Sequence, residues 1–81
     1  MKIFVDVLFI DMESEIYSID VDDTTKLNEA KILLQKNSYI YPEEQLWFCN
    51  NAIITNDIPW NIKSHYSVIV NNKWFTFNIK T

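Results

Sequence analysis

The chain has 81 residues and a formal net charge of −4, with 48% hydrophobic, 15% aromatic and 22% charged residues. This is enough for one domain with one small core, too apolar for a disordered tail, and without any apolar run approaching the ~18–20 residues of a membrane helix. Glycine and arginine are both absent, which excludes the glycine loops of nucleotide sites, the nucleophile elbow and the EF-hand loop, and removes the bidentate fork that grips phosphate or guanine.

The first residues alternate. Met1, Ile3, Val5 and Val7 share one side, while Lys2, Phe4, Asp6 and Leu8 share the other, the pattern of a half-buried strand. The polar run Asp11-Met-Glu-Ser14 predicts a turn. Tyr17, Ile19 and Val21 then alternate with Ser18, Asp20 and Asp22, and the two strands should pair as an antiparallel hairpin. Asp22-Asp-Thr-Thr25 supplies acceptors and negative charge suited to a helix N-terminus. Leu27, Ala30 and Leu34 follow at helical spacing, flanked by Ile32 and Leu33. The spacing predicts a helix from Thr25 to Lys36 with Asn37 as its left-handed stop.

Tyr41-Pro42-Glu-Glu44 breaks the chain and starts a short turn. Leu46 to Cys49 reads as a third strand and Asn50-Asn51 as its turn, because asparagine tolerates positive φ best after glycine. Ile53-Ile54 is a short fourth strand, residues 57–63 are a loop anchored by Trp60 and Ile62, and Tyr66 to Val70 is a fifth strand. Asn71-Asn72 turns again before a sixth strand-like segment, Trp74 to Ile79, with Phe75, Phe77 and Ile79 on one side. The order predicts an α+β fold in which one mixed sheet packs on one helix and strand one runs parallel to the fifth.

The residues resemble ubiquitin and its relatives. Met1-Lys-Ile-Phe-Val5 is similar to the family's opening Met-Gln-Ile-Phe-Val, and Ile19-Asp-Val-Asp22 to its second strand. Leu27, Ala30, Lys31, Leu34 and Gln35 follow its helix pattern, Pro42-Glu-Glu-Gln45 its Pro-Asp-Gln-Gln, and Trp60-Asn-Ile62 its Tyr-Asn-Ile. The resemblance spans residues 1 to about 70, with a longer first hairpin and a shorter loop before Trp60. It implies a β-grasp domain over 1–70, with residues 71–81 as a C-terminal extension. The departures matter equally. The family's conjugated members end in Gly-Gly, whereas this chain ends Asn78-Ile-Lys-Thr81, and Ala52 replaces the main chain-building lysine. The expectation is therefore a non-conjugated member. On the family's recognition patch, Leu8 and Phe48 fill the first two positions, Asn71 the third with Ile69 beside it, and Leu46 replaces an arginine.

Phe4, Ile16, Phe48 and Ile69 are expected to face outward from the sheet, either as an interface or as core beneath the C-terminal segment. That segment either folds back over the open face, projects to a partner, or replaces the fifth strand. The protein-binding set is Phe4, Leu8, Leu46, Phe48 and Ile69, with Trp74, Phe75 and Phe77 from the extension. Cys49 reads as a small buried hydrophobe rather than a nucleophile, and forms no internal disulfide. His65 is the one histidine and reads as a solvated loop residue, since no second soft ligand accompanies it. The acids at 11–15 and 20–23 lack calcium-loop spacing. Trp60 beside Pro59 reads as core under a loop.

These observations point to a protein-interaction module, an adaptor or small subunit that binds other proteins non-covalently. It would use no cofactor, metal, membrane or small-molecule substrate, and would not be an enzyme. With no export signal and one cysteine, it is expected in the cytoplasm or nucleus. The alternatives are a mimic competing with ubiquitin for its handlers, or a component of a ribonucleoprotein particle contacting RNA through Lys63, Lys73 and Lys80. Overall acidity weighs against the last.

Overall fold

The computed structural model describes residues 1–9 and 13–71. Strands β1 (Lys2–Leu8) and β2 (Ser14–Asp20) are followed by helix α1 (Leu27–Ser38) and a single 3-10 turn at Pro42–Glu44. Strands β3 (Gln45–Cys49), β4 (Ala52–Ile53) and β5 (Tyr66–Val70) complete the domain. The fold is α+β, and among the described residues five strands pair in the order β2-β1-β5-β3-β4. β1 pairs antiparallel with β2 and parallel with β5, and β3 pairs antiparallel with both β4 and β5.

Period-two alternation assigns the inner face. Ile3, Val5, Val7, Ile19, Trp47 and Val68 are buried there and meet Leu27, Ala30 and Leu34 of the helix. Burying such side chains contributes about 1.5–3 kcal/mol each. Gln45 is also buried, and both ends of its amide are bonded. Its Nε2 donates to the carbonyls of Lys31 and Ile40, both at 2.9 Å, and its Oε1 accepts from Trp47 Nε1 at 2.9 Å.

The helix begins at Leu27, two residues later than expected, and its acids at 22 and 23 do not cap it. Asp22 instead organises a tight turn, accepting from the Thr24 amide at 2.8 Å and the Thr24 hydroxyl at 2.6 Å. The first helical amide, Leu27 N–H, donates to Asp57 Oδ1 at 2.9 Å, thirty residues away. Trp60 Nε1 donates to the Thr25 carbonyl at 2.8 Å beside it. Trp60 is buried as core, edge-on to Trp47 with ring centroids 6.1 Å apart and 5.3 Å from Tyr66. Ile62, the other expected anchor of this loop, is exposed, so Trp60 and Asp57 hold the loop without it.

The helix also ends later, at Ser38, whose hydroxyl donates to the Leu34 carbonyl at 2.7 Å. The left-handed residue is Tyr39 (φ 62°), not Asn37, and its amide closes on the Gln35 carbonyl. Asn37 reaches instead to the Ser18 carbonyl of β2. Asn50 and Asn51 do adopt positive φ, 50° and 69°. β2 starts three residues before the expected Tyr17. β4 lies one residue earlier than expected, and Ile54 leaves the strand to enter the core. Of the expected turn at 11–14, residues 11 and 12 lie outside the described residues and Ser14 already opens β2, while the segment 72–81 lies wholly outside them; Asn71 N–H donates to the Glu44 carbonyl at 2.7 Å.

Two tests follow from the turns. A side chain with a Cβ is disfavoured at positive φ, and Tyr39 makes little return contact at 87% exposure. Tyr39→Gly should raise unfolding stability by about 0.5–1 kcal/mol in chemical denaturation at unchanged m-value. A loss would show that the tyrosine ring stabilises the helix end. The second test concerns Asp22, whose carboxyl is held below its ordinary 3.8, chiefly by the Thr24 hydroxyl and then by the Thr24 amide. A depressed folded-state pKa adds stability that is fully present above 3.8 and is lost as pH falls through the folded value. The stability gap between the unsubstituted chain and Asp22→Ala should therefore be full at neutral pH and close in acid; a pH-independent gap would contradict the turn.

Candidate functional site

Helix α1 covers only one side of the sheet, and the side chains of opposite parity point the other way. Strand register determines which of them are neighbours. Leu8 of β1 lies opposite Ile69 of β5, and Ile69 opposite Leu46 of β3. These three form an unbroken apolar row across three strands, spanning about 10 Å at the usual ~4.8 Å strand spacing. They are 40%, 42% and 39% exposed respectively. Such intermediate values fit side chains that lean on one another and still present a surface.

One row along, Ile16, Asp6, Ser67, Phe48 and Ile53 follow one another across all five strands. This row has a polar centre and apolar wings. His65 Nε2 lies 2.7 Å from Asp6 Oδ2, with both side chains substantially open to water. Its backbone is fixed by the β3–β4 turn: His65 N–H donates to Asn50 Oδ1 at 2.8 Å, and Asn50 N–H to the His65 carbonyl at 2.7 Å. An exposed pair of this kind adds about 0–1 kcal/mol, so its main effect is to orient the imidazole. Ser67, small and central, is buried between its larger neighbours. Phe4, 62% exposed, stands in the next row opposite Ser18.

Five of the residues expected to bind protein, Phe4, Leu8, Leu46, Phe48 and Ile69, thus share one face. Phe48 is half-buried, less open than an exposed centre requires, because Ile53 and Ser67 flank it in register. Trp74, Phe75 and Phe77 lie outside the described residues. Two members of the face went unread in the sequence. Ile53, 55% exposed, belongs to a two-residue strand too short to display alternation. His65 was placed in solvent without its carboxylate partner, which comes from the opposite end of the described chain.

The other candidate groups are elsewhere. Cys49 sits on the inner side of β3, partly buried against the core, with Tyr66 opposite it. The imidazole of His65 is on the outer side with Asp6, so sheet parity separates the thiol from it. Tyr17, at the β2 edge, donates its hydroxyl to Glu15, and that hydrogen bond raises its pKa above the ordinary 10.0. Among the described residues, no group of three or more His, Cys, Asp or Glu is placed to hold a metal ion, and no helix is long and apolar enough to cross a membrane. No family model matches the chain, and comparison with curated proteins finds no match.

Proposed function

We propose that residues 1–70 are a ubiquitin-like, β-grasp protein-interaction module, acting as an adaptor or small subunit that binds another protein non-covalently through the outer face of its sheet. The observation that carries this reading is the Leu8–Ile69–Leu46 row, aligned by register and left open to water by the described residues. A contiguous apolar surface rimmed by polar groups is costly in a lone soluble domain and marks a docking surface. Phe48 and Ile53 extend it on one side. Parallel β1–β5 pairing around a single helix supports the β-grasp assignment.

The partner has an apolar centre and a basic rim. Outside residues 72–81 the chain is acidic: −4 overall, with Lys73 and Lys80 contributing +2 to that segment, leaves −6 on residues 1–71. Charge of this sign steers basic partners and repels acidic ones.

The test is affinity purification of the tagged chain from its native host with mass spectrometry, run in parallel with Leu46→Ser and Phe48→Ala. A specific co-purifying protein should be lost or depleted with both variants. Titration calorimetry with that protein should then show about 1–3 kcal/mol of lost affinity per substitution. Folding stability should change by less than about 1 kcal/mol for Leu46→Ser, because this side chain is already part-exposed. Equal capture by all three proteins would remove the face from the binding role. Unfolding of Phe48→Ala with undiminished binding by Leu46→Ser would assign Phe48 to the core.

A further inference from the structure

Register places one charge beside the apolar row, and a partner seated on the row cannot avoid it. Asp6 lies two residues before Leu8 on β1, about 7 Å along the strand. A stable interface covers about 800 Å² on each partner, a patch roughly 28 Å across, so a protein docked on Leu8, Ile69 and Leu46 also covers Asp6. In the rows through Leu8 and Asp6, and in the Phe4–Ser18 pair beyond them, Asp6 carries the sole formal charge. One row further, Lys2 and Asp20 face each other across β1 and β2 as opposite charges. The charge of the face itself is therefore one carboxylate set among apolar side chains.

Its surroundings suit a long cationic side chain. Opposite Asp6 on β5 is Ser67, small and buried, so the carboxylate stands beside a low point bordered by Ile69 along β5 and Phe48 across on β3. Lysine and arginine stems lie along apolar surface while the charged head reaches a polar partner. His65 Nε2 holds one oxygen, Oδ2, at 2.7 Å. A carboxylate accepts about four hydrogen bonds, which leaves room for a second donor. Covering a carboxylate without an opposite charge is costly, so this position favours a cation and rejects an apolar or acidic group.

We propose that Asp6 is the specificity anchor of the outer face, receiving a lysine or arginine side chain that the partner protein lays over Ser67 beside the apolar row. The inference rests on the reading of that face as a docking surface and adds which partners it accepts: those with a cation inside the footprint as well as at the rim. His65 is a positioning residue that steadies the carboxylate, and the neutralising charge comes from the partner.

The probe is a random peptide library displayed on phage, selected against the full chain and counter-selected against Leu46→Ser. Binders should be enriched for Lys or Arg at one position among apolar residues, and selection on Asp6→Lys should replace that cation by Asp or Glu. In a synthetic copy of the best binder, the cation is exchanged for its uncharged isostere (norleucine for lysine, citrulline for arginine). Binding should weaken at least tenfold to the unsubstituted chain and less than threefold to Asp6→Asn or Asp6→Thr. Leu46-dependent binders with no cationic preference, or an equal loss on all these chains, would overturn the anchor and leave the docking reading standing. No Leu46-dependent binder at all would overturn both. Proton linkage separates the two sources of charge. The imidazole faces the Asp6 carboxylate of β1, its backbone meets the uncharged Asn50 of the β3–β4 turn, and its own loop carries Lys63. A protonated His65 opposes the peptide's cation, so affinity should rise severalfold from about pH 5.5 to 8, and the rise should vanish in His65→Asn. A profile that falls over this range would assign the neutralising charge to His65; a falling or flat profile would overturn the proposal.

Discussion

The domain depends on β5 having both edges occupied. Its backbone donors and acceptors are shared between β1 on one side and β3 on the other, and Tyr66, Val68 and Val70 fill the core beneath it. A central strand with a partner at each edge has no free ladder to offer another segment. That constraint forces the rest. β1 must run parallel to β5, so the intervening chain crosses over and lays α1 on one side of the sheet. A single helix cannot cover two faces, so among the described residues nothing packs over the outer face, and the side chains there are not dictated by the core. An apolar row in that position is then informative in a way that an apolar core is not.

Gln45 shows how closely the covered side is specified. An amide buried without partners costs about 1–3 kcal/mol. Here one side chain joins the helix, the connector at Ile40 and the indole of Trp47. It holds the helix at a fixed height above β3, whose next residue outward, Leu46, belongs to the open face. Positioning of the apolar row is thus tied through one residue to the interior hydrogen bonding. Trp47 and Trp60 play the corresponding apolar part, since their rings meet in the core while their N–H groups find partners in Gln45 and Thr25.

Much of this was legible from alternation alone. Ile3, Val5, Ile19, Val21, Leu34 and Val68 are inward as their spacing predicts, and the same parity puts Phe4, Leu8, Leu46 and Ile69 outside. What alternation does not convey is long-range. At the helix start the first amide is bonded by Asp57, while Asp22 and Thr25 are engaged in the turn before it. The helix runs two residues past the expected Lys36, through Asn37 to Ser38, whose hydroxyl bonds back to the Leu34 carbonyl, and the left-handed stop falls on Tyr39. The Asp6–His65 pair joins residues 59 positions apart and leaves no mark in either local pattern. Leu8, Ile69 and Leu46 were individually legible as outward residues, but their alignment in one row requires the registers of two strand pairs.

The distant capping of α1 also bears on how the domain emerges from a ribosome. Leu27 cannot bond Asp57, nor Thr25 bond Trp60, until the later residue has left the exit tunnel. β1 likewise waits for β5, the last strand among the described residues to be made. A twelve-residue helix is marginal by itself in water, and a lone hairpin is no better. The nascent chain therefore has no stable halfway house, and its hydrophobic segments stay accessible to chaperones until nearly all of residues 1–70 are free. The loop that carries Asp57 and Trp60 is where an insertion would be felt, since it would move both anchors away from the helix they complete.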